Sequence, residues 1–326
     1  TPCGTLFPYT TLFRSLIGLT AWQGLDVVVQ TLGVAGARVL WLAPLFAAPL
    51  AVTTIGWAAL FDAAQRPAVL RLAFARWVGF AVNQLLPAAR VGGEVVRVRL
   101  VAPKHAPTSA AIATVVADKT AQVATVALFA ALGIGALAFR EVAPDLLGPG
   151  LAGIALIGAA GGAFYVTQRR GGVDVAGRLL GRLVPEGRRD AWQAGAADVD
   201  AALQRAYRGS GFAIDVVANL LFRLGLAVEV WLALRFLGHP VDFLDALILE
   251  GLNQVLRAAA FMVPGAIGAQ ETGFVVLGSV LGIPSPVALS VSLCKRAREL
   301  LVGLPALAAW QLGEGRAWVR SSAQRE

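Results

Sequence analysis

Four stretches of the chain, each at least 20 residues long, contain no aspartate, glutamate, lysine or arginine: residues 39–61, 120–139, 146–168 and 272–294. A helix needs about 20 apolar residues to cross the hydrocarbon core of a bilayer. With 57% hydrophobic and 15% charged residues, the chain is too apolar for an ordinary soluble domain. The sequence therefore predicts an all-α polytopic membrane protein without a sizeable water-soluble domain.

Six membrane spans are expected, and the charge of the loops predicts their orientation. Lysine and arginine collect in cytoplasmic loops, and residues 169–208 hold eight arginines against five acids. That loop, the basic tail 314–326 and the N-terminus are therefore expected in the cytoplasm. The net charge of +8 then needs no nucleic acid to explain it. The expected spans are residues 16–37, 38–61, 110–139, 146–168, 212–237 and 287–312.

Two further segments are predicted to enter the membrane and return on the same side. Basic residues flank the segment around Pro87 at 62–76 and 97–104, so both flanks are expected in the cytoplasm. The mirror segment, 243–284, is expected to enter from outside. Proline and glycine favour a break in a helix, and irregular backbone at membrane depth is tolerated only in protein or beside a wet cavity. The predicted bend residues are Pro87, Gly92, Gly93, Pro264, Gly265 and Gly268.

The two hairpin segments also resemble each other. A shift of 177 positions places Glu94 on Glu271 and Lys119 on Arg296, and it aligns the prolines of "PAARVGGE" and "PGAIGAQE". Each half is predicted to contain two spans, a hairpin and a third span, and the second half runs in the opposite direction. Inverted repeats with broken helices at the midplane are the architecture of many transporters. The repeat halves are expected at about 16–145 and 146–313.

The membrane domain is expected to span 16–313. Residues 1–15 and 314–326 are expected to lie outside it, and residues 169–211 are expected to form an insertion within it. Residues 1–15 resemble translated adapter sequence, so we predict that they are not native and that the first helix is truncated. The insertion 169–211 carries an apolar stripe from Trp192 to Tyr207 at three- and four-residue steps. That stripe fits a helix on the cytoplasmic membrane interface or a soluble cytoplasmic helix. Residues 314–326 form the cytoplasmic tail.

Ionisable residues recur inside the predicted spans and hairpins, where each costs about 2.5–3.5 kcal/mol. They could be paired ions that hold helices together, or they could bind a ligand. In "CKRARE", three cations stand beside the single carboxylate of Glu299, which favours a ligand, since arginine pairs well with phosphate. The sequence contains no Ser/His/Asp arrangement and no metal-ligand spacing, so we predict no catalytic residues, metal or cofactor.

The motifs "NQLLPAARVGGEVVRVRLV", "MVPGAIGAQETGFVVLGSVLG" and "SLCKRARELLVGLPALAAWQ" resemble the lysylphosphatidylglycerol synthase transmembrane, flippase-like superfamily. The last is most similar to its hopanoid-biosynthesis-associated branch. The resemblance covers residues 16–313 and implies a multi-pass protein of the bacterial inner membrane that moves or handles lipids. Aminoacyl transfer is not expected, because the soluble acyltransferase domain of the lipid synthases has no counterpart in this sequence.

A headgroup-binding site is expected at the hairpin tips. Arg90 and the cations of "CKRARE" would hold the headgroup of a hopanoid or phospholipid, while Glu94 and Glu271 orient the arginines. Two alternatives stay open: a non-transporting scaffold that contacts lipid-biosynthesis enzymes, and a membrane-embedded transferase. The oligomeric state is not predicted. The candidate site residues are Asn83, Arg90, Glu94, Arg97, Glu271, Lys295, Arg296, Arg298 and Glu299.

Overall fold

The structure is a computed structural model that describes residues 33, 35–86, 91–102, 105–141, 144–181, 185–259 and 268–323. These residues form α-helices joined by short turns, and the described ranges contain no β-strand. The predicted all-α class is confirmed. The helices are α1 Leu42–Ala59, α2 Val69–Leu85, α3 Gly92–Val101, α4 Thr108–Phe139, α5 Leu147–Arg169, α6 Gly172–Gly181, α7 Glu186–Arg208, α8 Ser210–Phe236, α9 Phe243–Ala259, α10 Ala269–Val280 and α11 Ser285–Ala323.

Four described helices are long and apolar enough to cross a membrane: Gly36–Ala59, Thr108–Phe139, Pro144–Arg169 and Ser210–Phe236. The first includes a 3₁₀ turn that leads into α1, and the four coincide with predicted spans 38–61, 110–139, 146–168 and 212–237. The predicted span 16–37 lies almost entirely outside the described residues. The span 287–312 lies within α11, where the charges of "CKRARE" interrupt the apolar sequence.

Glycines allow α1 and α8 to pack closely side by side. A Cβ at Gly211 would lie 2.0 Å from the carbonyl oxygen of Ala59, and one at Gly56 would lie 2.7 Å from Ala218. Pro49 lies inside α1 and occupies the space beside Gly225, where a Cβ would approach its ring to 2.5 Å. Small residues of this kind let helix backbones approach in membrane proteins, and here they fix the helix pair on one side of the central cavity.

The short helices form two pairs, α2 with α3 and α9 with α10. In addition, α2 packs on α11 while α9 packs on α4. In the predicted repeat, α1, α2, α3 and α4 correspond to α8, α9, α10 and α11. Under this correspondence the contact of α2 with α3 becomes that of α9 with α10, and the contact of α2 with α11 becomes that of α9 with α4. The opposite membrane orientation of the halves stays a prediction.

The residues near the two predicted bends fall partly within the described ranges. Pro87, Pro264 and Gly265 lie outside them, whereas Gly92 and Gly93 begin α3. A Cβ at Gly93 would lie 2.2 Å from the carbonyl oxygen of Gly79 in α2. Only glycine therefore permits the contact between α2 and α3 at this point.

The start of α10 depends on a second glycine and on a predicted site residue. Gly268 precedes α10 with φ at +84°, a conformation that favours glycine. Its amide donates to Glu271 Oε2 at 2.7 Å. Since the first amides of a helix lack partners within the helix, Glu271 stabilises the beginning of α10.

The insertion 169–211 contains two helices where one was predicted. The indole nitrogen of Trp192 in α7 donates to the carbonyl oxygen of Gly177 in α6 at 2.8 Å. The other end of α7 packs on α4, and the hydroxyl of Tyr207 is hydrogen-bonded to Thr120 at 3.0 Å and to Gln168. Burial raises the pKa of Tyr207 to about 12, so its hydroxyl keeps the proton that it donates. The predicted stripe therefore contacts α6 at its Trp192 end and attaches α7 to the membrane domain at its Tyr207 end.

Candidate functional site

A cavity of about 440 Å³ lies in the middle of the helices, between α1, α2, α3, α4, α8, α9 and α11. Part of its wall is aromatic and aliphatic, and the rest carries amide and charged groups. Such a mixed lining suits a ligand that has a polar and an apolar part. The apolar lining consists of Phe46, Leu50, Phe80, Val91, Val123, Val126, Phe222 and Leu226.

Among the described residues, seven cations and two carboxylates line the cavity. The carboxylates are Glu94 and Glu299. Further carboxylates lie behind the wall and pair with several of the cations, so the distribution of partners decides which positive charges remain for a ligand. The cations are Arg76, Arg97, Lys119, Arg223, Arg257, Lys295 and Arg298.

The shift of 177 positions aligns two glutamates with each other and two cations with each other. In each half, the aligned glutamate forms an ion pair with the aligned cation. Lys119 Nζ lies 2.7 Å from Glu94 Oε1, and Arg296 Nε lies 3.1 Å from Glu271 Oε1. The first pair is the more open, since the Lys119 side chain is 39% exposed and the Arg296 side chain 14%. Both pairs join a helix that follows a predicted bend to the long helix after it.

Asn83 holds the first of these glutamates in place. Its amide nitrogen donates to Glu94 Oε2 at 3.0 Å, and its amide oxygen accepts from the backbone nitrogen of Gly93 at 2.9 Å. Asn83 therefore links the end of α2 to the beginning of α3 on both sides of the undescribed residues 87–90. Asn83, a site residue predicted from its motif, therefore holds Glu94 in position in the cavity wall.

The three cations of "CKRARE" each have a carboxylate, which corrects the sequence argument that Glu299 alone faces them. Lys295 pairs with Glu250 of α9 at 2.7 Å, and both side chains are fully buried. Arg298 pairs with Glu229 of α8 at 2.9 Å and lies over the ring of Phe46. The sequence argument counted only neighbours along the chain, whereas helices distant in sequence supply these acids.

Glu299 is the meeting point of three helices. It lies 2.9 Å from Arg296 and 3.8 Å from Arg257 of α9, and it accepts a hydrogen bond from Gln84 of α2 at 2.7 Å. Its side chain is 2% exposed. A buried carboxylate with this many partners connects α2, α9 and α11, so its removal would disturb both hairpin pairs at once.

Arg97, predicted to bind a headgroup, is held by Asp118. Its Nη1 lies 2.7 Å from Asp118 Oδ2, and Arg76 Nη2 lies 2.9 Å from Asp118 Oδ1. The Arg97 guanidinium also lies 4.0 Å from the ring centre of Trp57. Asp118 aligns with Lys295 under the shift of 177 positions, so the two halves hold opposite charges at equivalent places. Each of the two is paired with a helix from its own half.

Four of the cavity cations are not among the site residues predicted from the sequence: Arg76, Lys119, Arg257 and Arg223. Arg223 differs from the other three in its partners. Its Nε donates to Thr125 Oγ1 at 3.0 Å and its Nη2 to the carbonyl oxygen of Gln122 at 2.6 Å. Both acceptors are neutral, and no carboxylate of the described residues lies within 4.0 Å of it. The acid whose charge acts on it from farther away, Glu250, is already paired with Lys295. Arg223 is 7% exposed. From the sequence, the alternative of a structural ion is strongest for Arg223 and Glu229. Glu229 does form a buried ion pair, but with Arg298.

Most of the predicted site residues gather at this cavity. Asn83, Glu94, Arg97, Lys295, Arg298 and Glu299 line it, while Glu271 and Arg296 lie behind this wall and contact Glu299 or its helix. Arg90 lies outside the described residues. Within the described ranges, no group of three or more His, Cys, Asp or Glu side chains could hold a metal ion.

Comparison with known protein families supports a membrane protein. The chain matches the family described as "Lysylphosphatidylglycerol synthase TM region" over residues 11–306. No curated protein and no solved structure matches it. The match together with the four apolar helices establishes a multi-pass membrane protein, and the cavity at its centre is the candidate site.

Proposed function

Because the chain belongs to the lysylphosphatidylglycerol synthase TM region family, we propose that it moves a polar lipid between the leaflets of the bacterial inner membrane. The headgroup enters the central cavity, and the acyl chains remain in the bilayer beside the apolar wall. The arginine-rich insertion 169–211 and the C-terminal tail lie in the cytoplasm, since positive charge is retained on that side.

Arg223 is the observation that carries this proposal. A buried guanidinium without a carboxylate within ion-pair distance is costly, because a more distant acid that is already paired, here Glu250 with Lys295, offsets the loss of hydration only in part. Its neutral partners, Thr125 and Gln122, fix its orientation, and the guanidinium borders the cavity. Arginine donates well to the oxygens of phosphate. A phosphate group in the cavity would therefore supply the missing negative charge.

The dimensions of the cavity favour a headgroup over a whole lipid. Pockets that enclose drug-sized ligands have volumes of about 300–1,000 Å³, and the cavity of about 440 Å³ is near the lower end of that range. Amide groups of Asn83, Gln122, Asn219 and Gln254 also line it and can donate to headgroup hydroxyls. An anionic phospholipid therefore suits the cavity better than an uncharged hopanoid, whose hydroxyls bring no charge to Arg223.

Movement of the headgroup requires the cavity to open to each leaflet in turn. The pair Glu94–Lys119 connects α3 to α4 in the first half, and the pair Glu271–Arg296 connects the corresponding helices, α10 and α11, in the second half. Alternate loosening of these two pairs would expose the cavity first to one side and then to the other, as in transporters built from inverted repeats.

The test uses the purified protein in liposomes that contain fluorescently labelled phosphatidylglycerol, with a membrane-impermeant reductant to bleach the outer leaflet. In liposomes with the wild-type protein, we expect more than half of the label to be bleached, because label from the inner leaflet reaches the outer one. In liposomes with Arg223→Gln, we expect only the outer-leaflet half to be bleached. Arg235→Gln is the matched control, because Arg235 lies on the same helix and is exposed. We expect it to behave as wild type.

Thermal stability separates a ligand-binding arginine from a structural one. Since Arg223 has no carboxylate partner in the described part of the chain, its replacement by glutamine strands no buried acid. We expect Arg223→Gln to melt at the wild-type temperature or above. Normal lipid movement by Arg223→Gln would refute the proposed role, and lipid binding without movement by the wild type would support the scaffold alternative.

A further inference from the structure

A second buried acid lies beside Asp118 and takes no part in the ion pairs described above. Asp215 of α8 is fully buried. Its Oδ1 accepts from Asn219 Nδ2 at 3.2 Å, and its Oδ2 is buried without a hydrogen-bond partner among the described residues. An ionised carboxylate in such surroundings is strongly unfavourable unless a cation or a proton accompanies it.

The charged groups around Asp215 come from three other helices. Arg76 of α2 and Arg97 of α3 both pair with Asp118 of α4, and no basic side chain in the described ranges lies within 4.0 Å of Asp215. Asn219 connects the two acids, since its amide also approaches Asp118 Oδ1 at 3.4 Å. Two acids and two guanidinium groups thus form one cluster, but both guanidinium groups are on the same acid.

The helix α1 closes the remaining side of Asp215. A Cβ at Gly56 would lie 2.7 Å from Asp215 Oδ1, so this face admits no larger group. The neighbouring Trp57 directs its indole nitrogen to Thr114 and offers Asp215 no donor. The uncharged wall of α1 therefore provides no compensation for a negative charge.

The same cluster holds hydrogen-bond donors that are not used. Arg76 Nε, Arg97 Nε and Arg97 Nη2 are buried without partners among the described residues, as is Asp215 Oδ2. Leaving a buried donor or acceptor unmatched is unfavourable, because the group has lost its hydrogen bonds to water. If the guanidinium group of Arg76 or Arg97 turned towards Asp215, one of these unused N–H groups could donate to Asp215 Oδ2. The cluster therefore has two ways of distributing its hydrogen bonds.

We propose that Asp215 binds a proton whose uptake and release drive the lipid movement proposed above. With the proton on Oδ2, Asp215 is neutral and both guanidinium groups stay on Asp118. When the proton returns to water, the Asp215 carboxylate draws one guanidinium away from Asp118. Because Arg76, Arg97 and Asn219 line the cavity, this change alters the wall that contacts the headgroup. Proton binding and headgroup binding are coupled through these three side chains.

Infrared spectroscopy of the purified protein tests the proton site without any lipid movement. We expect the wild-type protein at neutral pH to show the carbonyl band of a protonated carboxylic acid, and Asp215→Asn to lose it. Asp62→Asn is the control, because Asp62 is exposed and pairs with Arg205 at 3.5 Å; it should keep the band. An unchanged band in Asp215→Asn overturns the proposal.

Thermal melting gives a second, independent result. Asparagine has the shape of the neutral acid, so Asp215→Asn should melt within a few degrees of the wild type. Asp118→Asn, which removes the acceptor of two arginines, should melt well below it. A loss of stability in Asp215→Asn as large as that in Asp118→Asn shows an ionised structural acid and overturns the proposal.

The coupling itself is tested with the labelled phosphatidylglycerol liposomes under a pH gradient. We expect the gradient to accelerate label movement by the wild type and by Asp62→Asn, and to have no effect on Asp215→Asn. A full response in Asp215→Asn, or a wild-type response to a sodium gradient alone, overturns the coupling. A wild-type protein that moves no label contradicts the proposed function, and the infrared result then still decides whether Asp215 holds the proton.

Discussion

Replacing Glu250 by glutamine leaves the Lys295 ammonium buried without its carboxylate. In the wild type the two groups lie 2.7 Å apart with both side chains fully buried, and Gln254 donates to the other carboxylate oxygen at 2.7 Å. Removal of one partner of a buried pair costs about 3–5 kcal/mol. Since each 1.4 kcal/mol is a factor of ten, the folded fraction relative to the unfolded falls by roughly 10²–10⁴-fold.

The double variant Glu250→Gln/Lys295→Met is expected to recover most of this loss. It removes both charges with little change in volume, and neutral replacements of buried ion pairs are often as stable as the pair itself. Unfolding of the purified protein in mixed detergent, followed by circular dichroism, measures the single variants Glu250→Gln and Lys295→Met and the double variant. Arg140→Gln serves as the control, because its pair with Asp242 lies at the surface and should matter little.

Two results would refute the reasoning. A change below about 1 kcal/mol in Glu250→Gln, the size typical of exposed pairs, would show that water reaches Lys295 from the cavity and solvates it. A double variant no more stable than the worse single variant would show that the two charges do not depend on each other. In either case the pair would not be the structural link between α9 and α11 that the geometry indicates.

Three further predictions concern packing and topology. Gly93→Ala should lower the free energy of unfolding by about 1–3 kcal/mol, because a Cβ there would lie 2.2 Å from a backbone oxygen of α2; Gly135→Ala, with no atom within 4 Å, should not be destabilised in the same detergent assay. Trp192→Ala removes the hydrogen bond between α6 and α7 and should speed amide hydrogen exchange in α6 but not in α4. Single cysteines in a cysteine-free background should label only from the cytoplasm at position 66 and only from outside at position 242, and labelling of both from one side would contradict the predicted topology.

Much of the candidate site was predictable because charge inside an apolar sequence is conspicuous. The motifs around Glu94 and Glu271 identified two glutamates whose aligned cations, Lys119 and Arg296, prove to be their partners. Arg223 is likewise a cation in an apolar helix, but the sequence does not show which acid, if any, lies close enough to pair with it. Glu229, six residues along α8, lies on another face of that helix because a helix turns every 3.6 residues.

The sequence by itself determined the helical membrane class and the approximate position of the long apolar helices. Those properties follow from local composition, since a helix satisfies its own backbone hydrogen bonds and needs only about 20 apolar residues to cross the bilayer. The glycine at 93 was likewise visible as a local signal.

Only the tertiary structure decided how the charges are shared. Arg298 pairs with Glu229, 69 positions away, and Lys295 pairs with Glu250, 45 positions away, so the excess of cations in "CKRARE" disappears on folding. The same packing leaves Arg223 and Asp215 without an oppositely charged group within 4.0 Å among the described residues. Electrostatic energy depends on distance in space and on burial, and neither quantity can be obtained from the order of residues along one helix.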